Sequence, residues 1–308
     1  MSRRSFSYFL LILLLCTAAI STQSYHIQTY SVIDGLPSGL VTDLTQNVDG
    51  KMWFSSNIGI LEFDNQTWKL HNITPQGMNK NQLSWITSDQ YGRIFVFNRN
   101  LKAGGYLYEN KIWKRLDGPD ARWNGIQITS LSIQQYQGKT VIGFGTYKKG
   151  LFLYSVSENR WRHMTAKIGL LDNDILSIDS YQGKFYTVTK KGISIVSSKL
   201  VDNSINQLIP DHGKQLTGIR IREIAQKMHI FVTARNWIGE IIDNKFKYIR
   251  KFPFQIGRKA GDLLSVRKIQ IEYDRRGRLF FGNITALYYY DFKSNELKRL
   301  DTESGLVT

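Results

Sequence analysis

A repeat of 42 to 47 residues does most to limit what this chain can fold into. In its first copy Val41-Thr42-Asp43-Leu44 leads to Asp49-Gly50, Met52-Trp53-Phe54, Gly59-Ile60-Leu61-Glu62-Phe63 and Trp68-Lys69-Leu70. The same order of events recurs from near Leu83, Thr129, Asp174, Gly218 and Ser265. Each copy holds four short runs rich in β-branched and aromatic residues, separated by turn residues, which is how strands read. Ile193-Ser194-Ile195-Val196 alternates with the period of a strand, not the period of about 3.6 of an amphipathic helix. Four strands per repeat of about 40 to 50 residues is the pattern of a β-propeller. The expected fold is therefore all-β, a β-propeller of four-stranded blades starting near 41, 83, 129, 174, 218 and 265.

With strands A to D numbered from the axis outward, blade 1 is expected to place A over 41–46, B over 51–56, C over 59–64 and D over 67–72. Asp49-Gly50 suits a tight A–B hairpin, because glycine accepts a positive φ at little cost. Blades 3 and 4 offer Gln137-Gly138 and Gln182-Gly183, and blade 5 has Gln226-Lys227 in place of a turn glycine. Trp53, Phe95 and Phe280 fall at equivalent points of strand B and are expected to pack between blades.

These residues resemble the two-component regulator propeller repeat. Gly35-Leu36-Pro37, Val41, Leu44, Asp49-Gly50, Met52-Trp53-Phe54, Gly59-Ile60 and Phe63-Asp64 match its pattern in order, with Ser55-Ser56 replacing the usual Gly-Thr. Blades 2 to 6 match more loosely; Phe95 stands in place of Trp. The resemblance implies an exported ligand-sensing propeller of a membrane signalling receptor. In that family the output module is a histidine kinase or diguanylate cyclase, and the ligands are often oligosaccharides. No such output module is visible in this sequence.

The two ends carry further expectations. Arg3-Arg4, the apolar run from Phe9 and the small residues Ala19 and Ser21 read as a secretory signal peptide over 1–24, with an uncleaved anchor as the alternative. The propeller then occupies 25–308. Cys16, the sole cysteine, lies in the signal segment, so the rest has no disulfide or thiol chemistry. Tyr25–Val32 looks like a D strand without its blade, and Gly305-Leu306-Val307-Thr308 looks like the entry to another strand A. Together they suggest a seventh blade cut short, so that blade 6 would not pack directly on blade 1. The alternative is a six-bladed ring with an unrelated N-terminal strand.

The formal charge of +16 points to anionic partners, and export argues against nucleic acid. No catalytic constellation emerges. His26, His71, His163, His212 and His229 have no metal-ligand spacing, and His71 and His163 are expected at the blade surface. No metal, catalytic residue or cofactor is assigned. In a propeller the D–A and B–C loops share one face, which would gather Arg99, Lys102, Arg122, Trp123, Lys148, Lys149, Lys190, Lys191, Arg235 and Trp237 around one mouth. Lys167, Lys214, Arg258 and Lys259 add to them, against Asp120, Asp172, Asp211 and Asp262. Cations beside tryptophan suit an anionic oligosaccharide or another small extracellular ligand. The opposite face also carries cations, Lys51, Arg93, Lys139, Lys184 and Arg278, so ordinary solvated turns are the plain alternative. The membrane is contacted only through the signal segment or a downstream span, and the full-length receptor is expected to form a homodimer. Two other functions stay open: a propeller enzyme acting on glycans, and an exported structural or adhesive propeller.

Overall fold

The computed structural model describes residues 28–37, 40–71, 83–119, 125–198, 200–234, 236–251, 271–274, 276–282 and 287–300. The signal segment, most of the expected blade 5–6 connection and the residues after Leu300 lie outside them.

The chain forms six antiparallel four-stranded blades, each a meander with its strands in sequence order. Blade 1 comprises β1 (Val41–Gln46), β2 (Met52–Ser56), β3 (Gly59–Phe63) and β4 (Trp68–His71); blade 2 comprises β5 (Leu83–Ser88), β6 (Ile94–Asn98), β7 (Gly105–Glu109) and β8 (Ile112–Leu116). Blade 3 has β9 (Ile128–Tyr136), β10 (Lys139–Thr146), β11 (Leu151–Ser155) and β12 (Arg160–Met164); blade 4 has β13 (Ser177–Tyr181), β14 (Lys184–Thr189), β15 (Gly192–Val196) and β16 (Val201–Asp202). Blade 5 has β17 (Leu216–Ile224), β18 (Lys227–Ala234), β19 (Trp237–Ile242) and β20 (Lys245–Lys251); blade 6 has β21 (Ile271–Tyr273), β22 (Arg278–Gly282), β23 (Leu287–Asp291) and β24 (Glu296–Leu300).

The A–B turns show two solutions to one geometric problem. In blades 1, 2 and 6 an Asn or Asp directly follows strand A and its Oδ1 accepts two main-chain N–H groups of the turn: Asn47 from Asp49 and Lys51, Asp89 from Tyr91 and Arg93, Asp274 from Arg276 and Arg278. A glycine with positive φ follows in each, at Gly50, Gly92 and Gly277. Blades 3 and 4 use two residues with positive φ, Gln137-Gly138 and Gln182-Gly183, the hairpin turn that matches strand twist. Blade 5 does the same one residue earlier than the sequence suggested: Ala225 and Gln226 sit at φ 49° and 62°, with no glycine. Strand pairing continues to Ile224↔Lys227, so the ladder leaves just those two residues for the turn.

Adjacent blades pack through apolar side chains. Trp53, Ile60, Ile86, Val96 and Tyr106 fill the space between blades 1 and 2. Phe97, Ile142, Phe144 and Tyr154 lie between blades 2 and 3, and Leu153, Ile178, Phe185 and Val196 between blades 3 and 4. Val188, Ile219, Ile221 and Val232 join blades 4 and 5, and Phe231, Leu279 and Phe281 join blades 5 and 6. Each such side chain contributes on the order of 1.5 to 3 kcal/mol when fully removed from water. Trp53 and Phe95 are buried here as expected, while Phe280 is half-buried.

Polar clasps between inner strands fix the register from one blade to the next. Thr45 Oγ1 and Ser88 Oγ are 3.1 Å apart, and Ser88 Oγ donates to the Gln46 carbonyl at 2.8 Å. The clasp recurs between blades 3 and 4, where Ser132 Oγ meets Ser180 Oγ at 2.8 Å and Ser180 donates to the Ile133 carbonyl. Inner strands contact their neighbours in turn from β1 to β21. No contact on that scale joins β21 to β1 among the described residues. On β1, Thr42, Leu44 and Gln46 are exposed while Val41, Asp43 and Thr45 are half-buried.

Two expectations need correction. Of the D strand expected at Tyr25–Val32, residues 25–27 lie outside the described residues, 28–31 form no strand and 32–35 make a turn. Tyr30 instead packs edge-on against Phe63 and Trp68 of blade 1. His71 is not a surface residue but is 8 % exposed, because Trp53, Tyr108 and Trp113 close over it from blades 1 and 2.

Candidate ligand-binding surfaces

At the mouth formed by the D–A and B–C loops, the described cations Arg99, Lys148, Lys149, Lys190 and Lys191 are exposed. Lys148 and Lys149 lie in the turn after β10, and Lys190 and Lys191 in the two-residue turn between β14 and β15. The Lys148 ammonium sits 4.9 Å from the centre of the Tyr147 ring. Lys191 pairs with Asp172 at 3.3 Å, so an acid of the neighbouring D–A loop already takes one of the expected cations. That lysine helps to hold the Asp172 carboxyl below its ordinary pKa; burial opposes the shift and main-chain N–H bonds assist it. Arg99 is exposed just after β6. Lys102's side chain, together with Arg122, Trp123 and Arg235, lies outside the described residues.

Trp237 does not lie in a loop. It opens β19, opposite Lys251, with its ring edge-on to Phe246 and Tyr248 at 5.6 and 5.5 Å. The strand continues the ladder through this position and aromatic neighbours occupy the ring, so it does not offer the free stacking face that the sequence suggested.

His163 is half-buried on β12, the outer strand of blade 3. Its ring stacks on Phe152 at 4.1 Å and its Nε2 lies 2.6 Å from the Lys149 carbonyl, where it donates. Burial pushes its pKa below the ordinary value. Two further histidines pair with glutamate: His71 Nε2 with Glu62 at 2.7 Å and His229 Nδ1 with Glu240 at 2.5 Å. Both glutamates are buried within their own blades. Among the described residues no group of His, Cys, Asp and Glu is placed to hold a metal ion.

A second charged assembly spans the inner strands of blades 4, 5 and 6. Arg220 and Arg222, two apart on β17, both reach Glu272 on β21, Arg222 at 2.6 Å. Asp179 on β13 lies 3.6 and 3.9 Å from the same two guanidinium groups. Burial opposes the charge on Arg220, but the two carboxylates outweigh it and raise its pKa. Burial, and then the charge of Arg220, lowers the pKa of Arg222. Two cations and two carboxylates neutralise one another here, so the assembly tightens the ring and leaves little net field for a ligand. The pairings of Arg222 and Arg220 with Glu272, over 50 and 52 residues of sequence separation, gave no local signal for it.

A cavity of about 660 Å³ on described residues lies on the opposite face, between blades 3 and 4. Lys139 and Lys184, which the sequence assigned to that face, both line it. Another, about 300 Å³, lies at the blade 2 turns around Arg93 and Tyr108.

No protein-family model and no curated protein matches the chain. Solved structures do match. The extracellular domain of a putative hybrid two-component system of B. thetaiotaomicron superimposes with a TM-score of 0.62 at 16% identity, over 88% of this chain and 35% of that one. A second such extracellular domain from the same organism gives 0.58 at 17% identity, over 87% and 34%. Virginiamycin B lyase from Staphylococcus aureus gives 0.58 at 12% identity, over 85% and 84%. These likenesses share the β-propeller fold. The chain spans about a third of the length of the two-component domains it matches.

Proposed function

We propose that this chain is the ligand-sensing propeller of an exported membrane signalling receptor of the two-component type. The observation that carries the reading is the agreement of blade 1 with its sequence pattern, within a fold shared with extracellular two-component domains. Gly35 and Gly50 adopt positive φ where the pattern has glycine, and Trp53, 2 % exposed, locks blade 1 to blade 2. In this reading export is directed by residues 1–24, and the output module lies elsewhere in the receptor. The sensed ligand is a small extracellular molecule, an anionic oligosaccharide being the first candidate, and the receptor works as a homodimer. No nucleic acid takes part. Among the described residues no helix is long and apolar enough to cross a membrane.

The match to a propeller lyase gives a second reading, glycan or other ligand turnover. Binding without turnover is favoured because His71 and His229, both paired to glutamate, are taken up in blade packing and line neither of the cavities described above. Two measurements test the proposal. Full-length protein is expected in the membrane fraction of its host, with the propeller digested by protease added outside the inner membrane. The purified propeller, titrated against charged and neutral oligosaccharides, is expected to release heat of binding and leave the sugars intact by mass spectrometry. A cytoplasmic propeller, or a cleaved product that disappears with a single substitution, would overturn it.

A further inference from the structure

We propose that the groove between the outer parts of blades 3 and 4 is a binding site for a compact polyanion carrying two or more carboxylate, sulfate or phosphate groups. Its volume of about 660 Å³ is that of a small-molecule site, which commonly runs from about 300 to 1,000 Å³.

The groove has a definite structural origin. Its walls are β12 of blade 3, through Arg160, Trp161 and Arg162, and the end of β15 with the turn after it in blade 4, through Val196, Ser197 and Ser198. The floor is low. The serine and threonine clasps between inner strands align Val141 of blade 3 with Lys51 of blade 1, whose long side chain crosses its sheet to Glu62 at 2.6 Å. Val141 is too short to fill that space.

The groove's charge is one-sided. Lys139, Arg160 and Arg162 line it from blade 3 and Lys184 from blade 4, against one lining carboxylate, Glu158. Glu158 is bound to Lys139 at 2.7 Å, an exposed pair that leaves the two arginines and Lys184 in excess. Asp202 lies close enough to Lys184 for their charges to interact. Arg162 reaches across the opening to the Ser197 carbonyl at 3.4 Å, so its guanidinium is already held over the groove. Cations converging on a concave apolar floor focus the field on an anion, and guanidinium groups suit paired oxygen atoms. The Tyr136 ring lies over Gly183, where an added Cβ would come within 2.7 Å of it, and gives the site one flat wall. The mouth on the other face lacks this combination among the described residues.

The proposal rests on the sensing reading only in taking this anion as the sensed ligand. Binding is therefore measured directly, by calorimetry on the purified chain at low salt, with sucrose octasulfate, citrate and pyrophosphate as probes and sucrose as the neutral control. At least one anion is expected to bind, and more weakly as salt is raised. The double substitution Arg160→Gln with Arg162→Gln is expected to weaken binding at least tenfold. Ser198→Trp, at the exposed rim, is expected to block it without removing charge. Reversal of Lys148, Lys149, Lys190 and Lys191 to Glu is expected to change it less than threefold. Circular dichroism melts confirm that each variant is folded. The proposal is overturned if no anion binds, if sucrose binds equally well, or if binding survives both groove variants. Groove-dependent binding with no response from the full-length receptor would retain this site and defeat the sensing reading instead.

Discussion

Asp179 in blade 4 accepts the main-chain N–H of Ile221 in blade 5 at 2.7 Å, holding two inner strands together through one buried carboxylate. Asp43 does the same for Ile86 between blades 1 and 2. Asp179 also faces Arg220 and Arg222, so its removal leaves a main-chain donor and two guanidinium groups short of a partner. Asp179→Ala is expected to cost about 2 to 3 kcal/mol in urea unfolding, since hydrogen bonds to charged groups contribute more than neutral ones. Asp179→Asn keeps an acceptor for Ile221 and is expected to cost about half as much. Equal costs would mean that the charge matters and the bond does not.

The glycine-free turn of blade 5 is a place where stability can be gained. Ala225 and Gln226 both hold positive φ, a conformation that costs most L-residues about 1 to 2 kcal/mol each. Asn and Gly tolerate it. The double change Ala225→Asn with Gln226→Gly is expected to raise the unfolding free energy by about 1 kcal/mol or more. A lower midpoint would show that the wild-type side chains make compensating contacts.

Gly143 sits where blade 1 has Trp53, by the same clasp register, and gives its space to the next blade. A Cβ there would lie 2.6 Å from the Phe185 ring and 2.8 Å from Ile178. Gly143→Ala is expected to destabilise by about 1 to 3 kcal/mol through overpacking. Adding Phe185→Leu is expected to recover part of that loss, which a thermal melt of the single and double variants will measure.

His71 makes stability depend on pH. Burial is the main reason that its pKa falls below 6.5, opposed by the bond to Glu62. A depressed folded-state pKa means that the unfolded chain takes up the proton first. The stability is fully present above about pH 6.5 and is lost as pH falls towards the folded value. His163 acts in the same direction. The melting temperature is expected to fall between pH 7.5 and 5.5, with a shallower fall in His71→Gln. An identical slope in that variant would exclude His71 as the source.

The sequence by itself determined the blades. Expected strands at 41–46, 51–56, 59–64 and 67–72 became β1 to β4 within a residue or so, because period-two alternation and turn residues act between near neighbours in the chain. Turn type was less legible: Ala225-Gln226 bends without glycine because the ladder on either side leaves no other residues free. The electrostatics belonged to the tertiary structure. Lys191 met Asp172, Trp237 joined an aromatic cluster, and Arg220 and Arg222 found Asp179 and Glu272 across two blade boundaries. The groove between blades 3 and 4 depends on Val141 standing at a place that Lys51 fills in blade 1. Local patterning specifies each blade, but a surface between blades is set by the difference between two repeats, and that difference appears only once they are packed face to face.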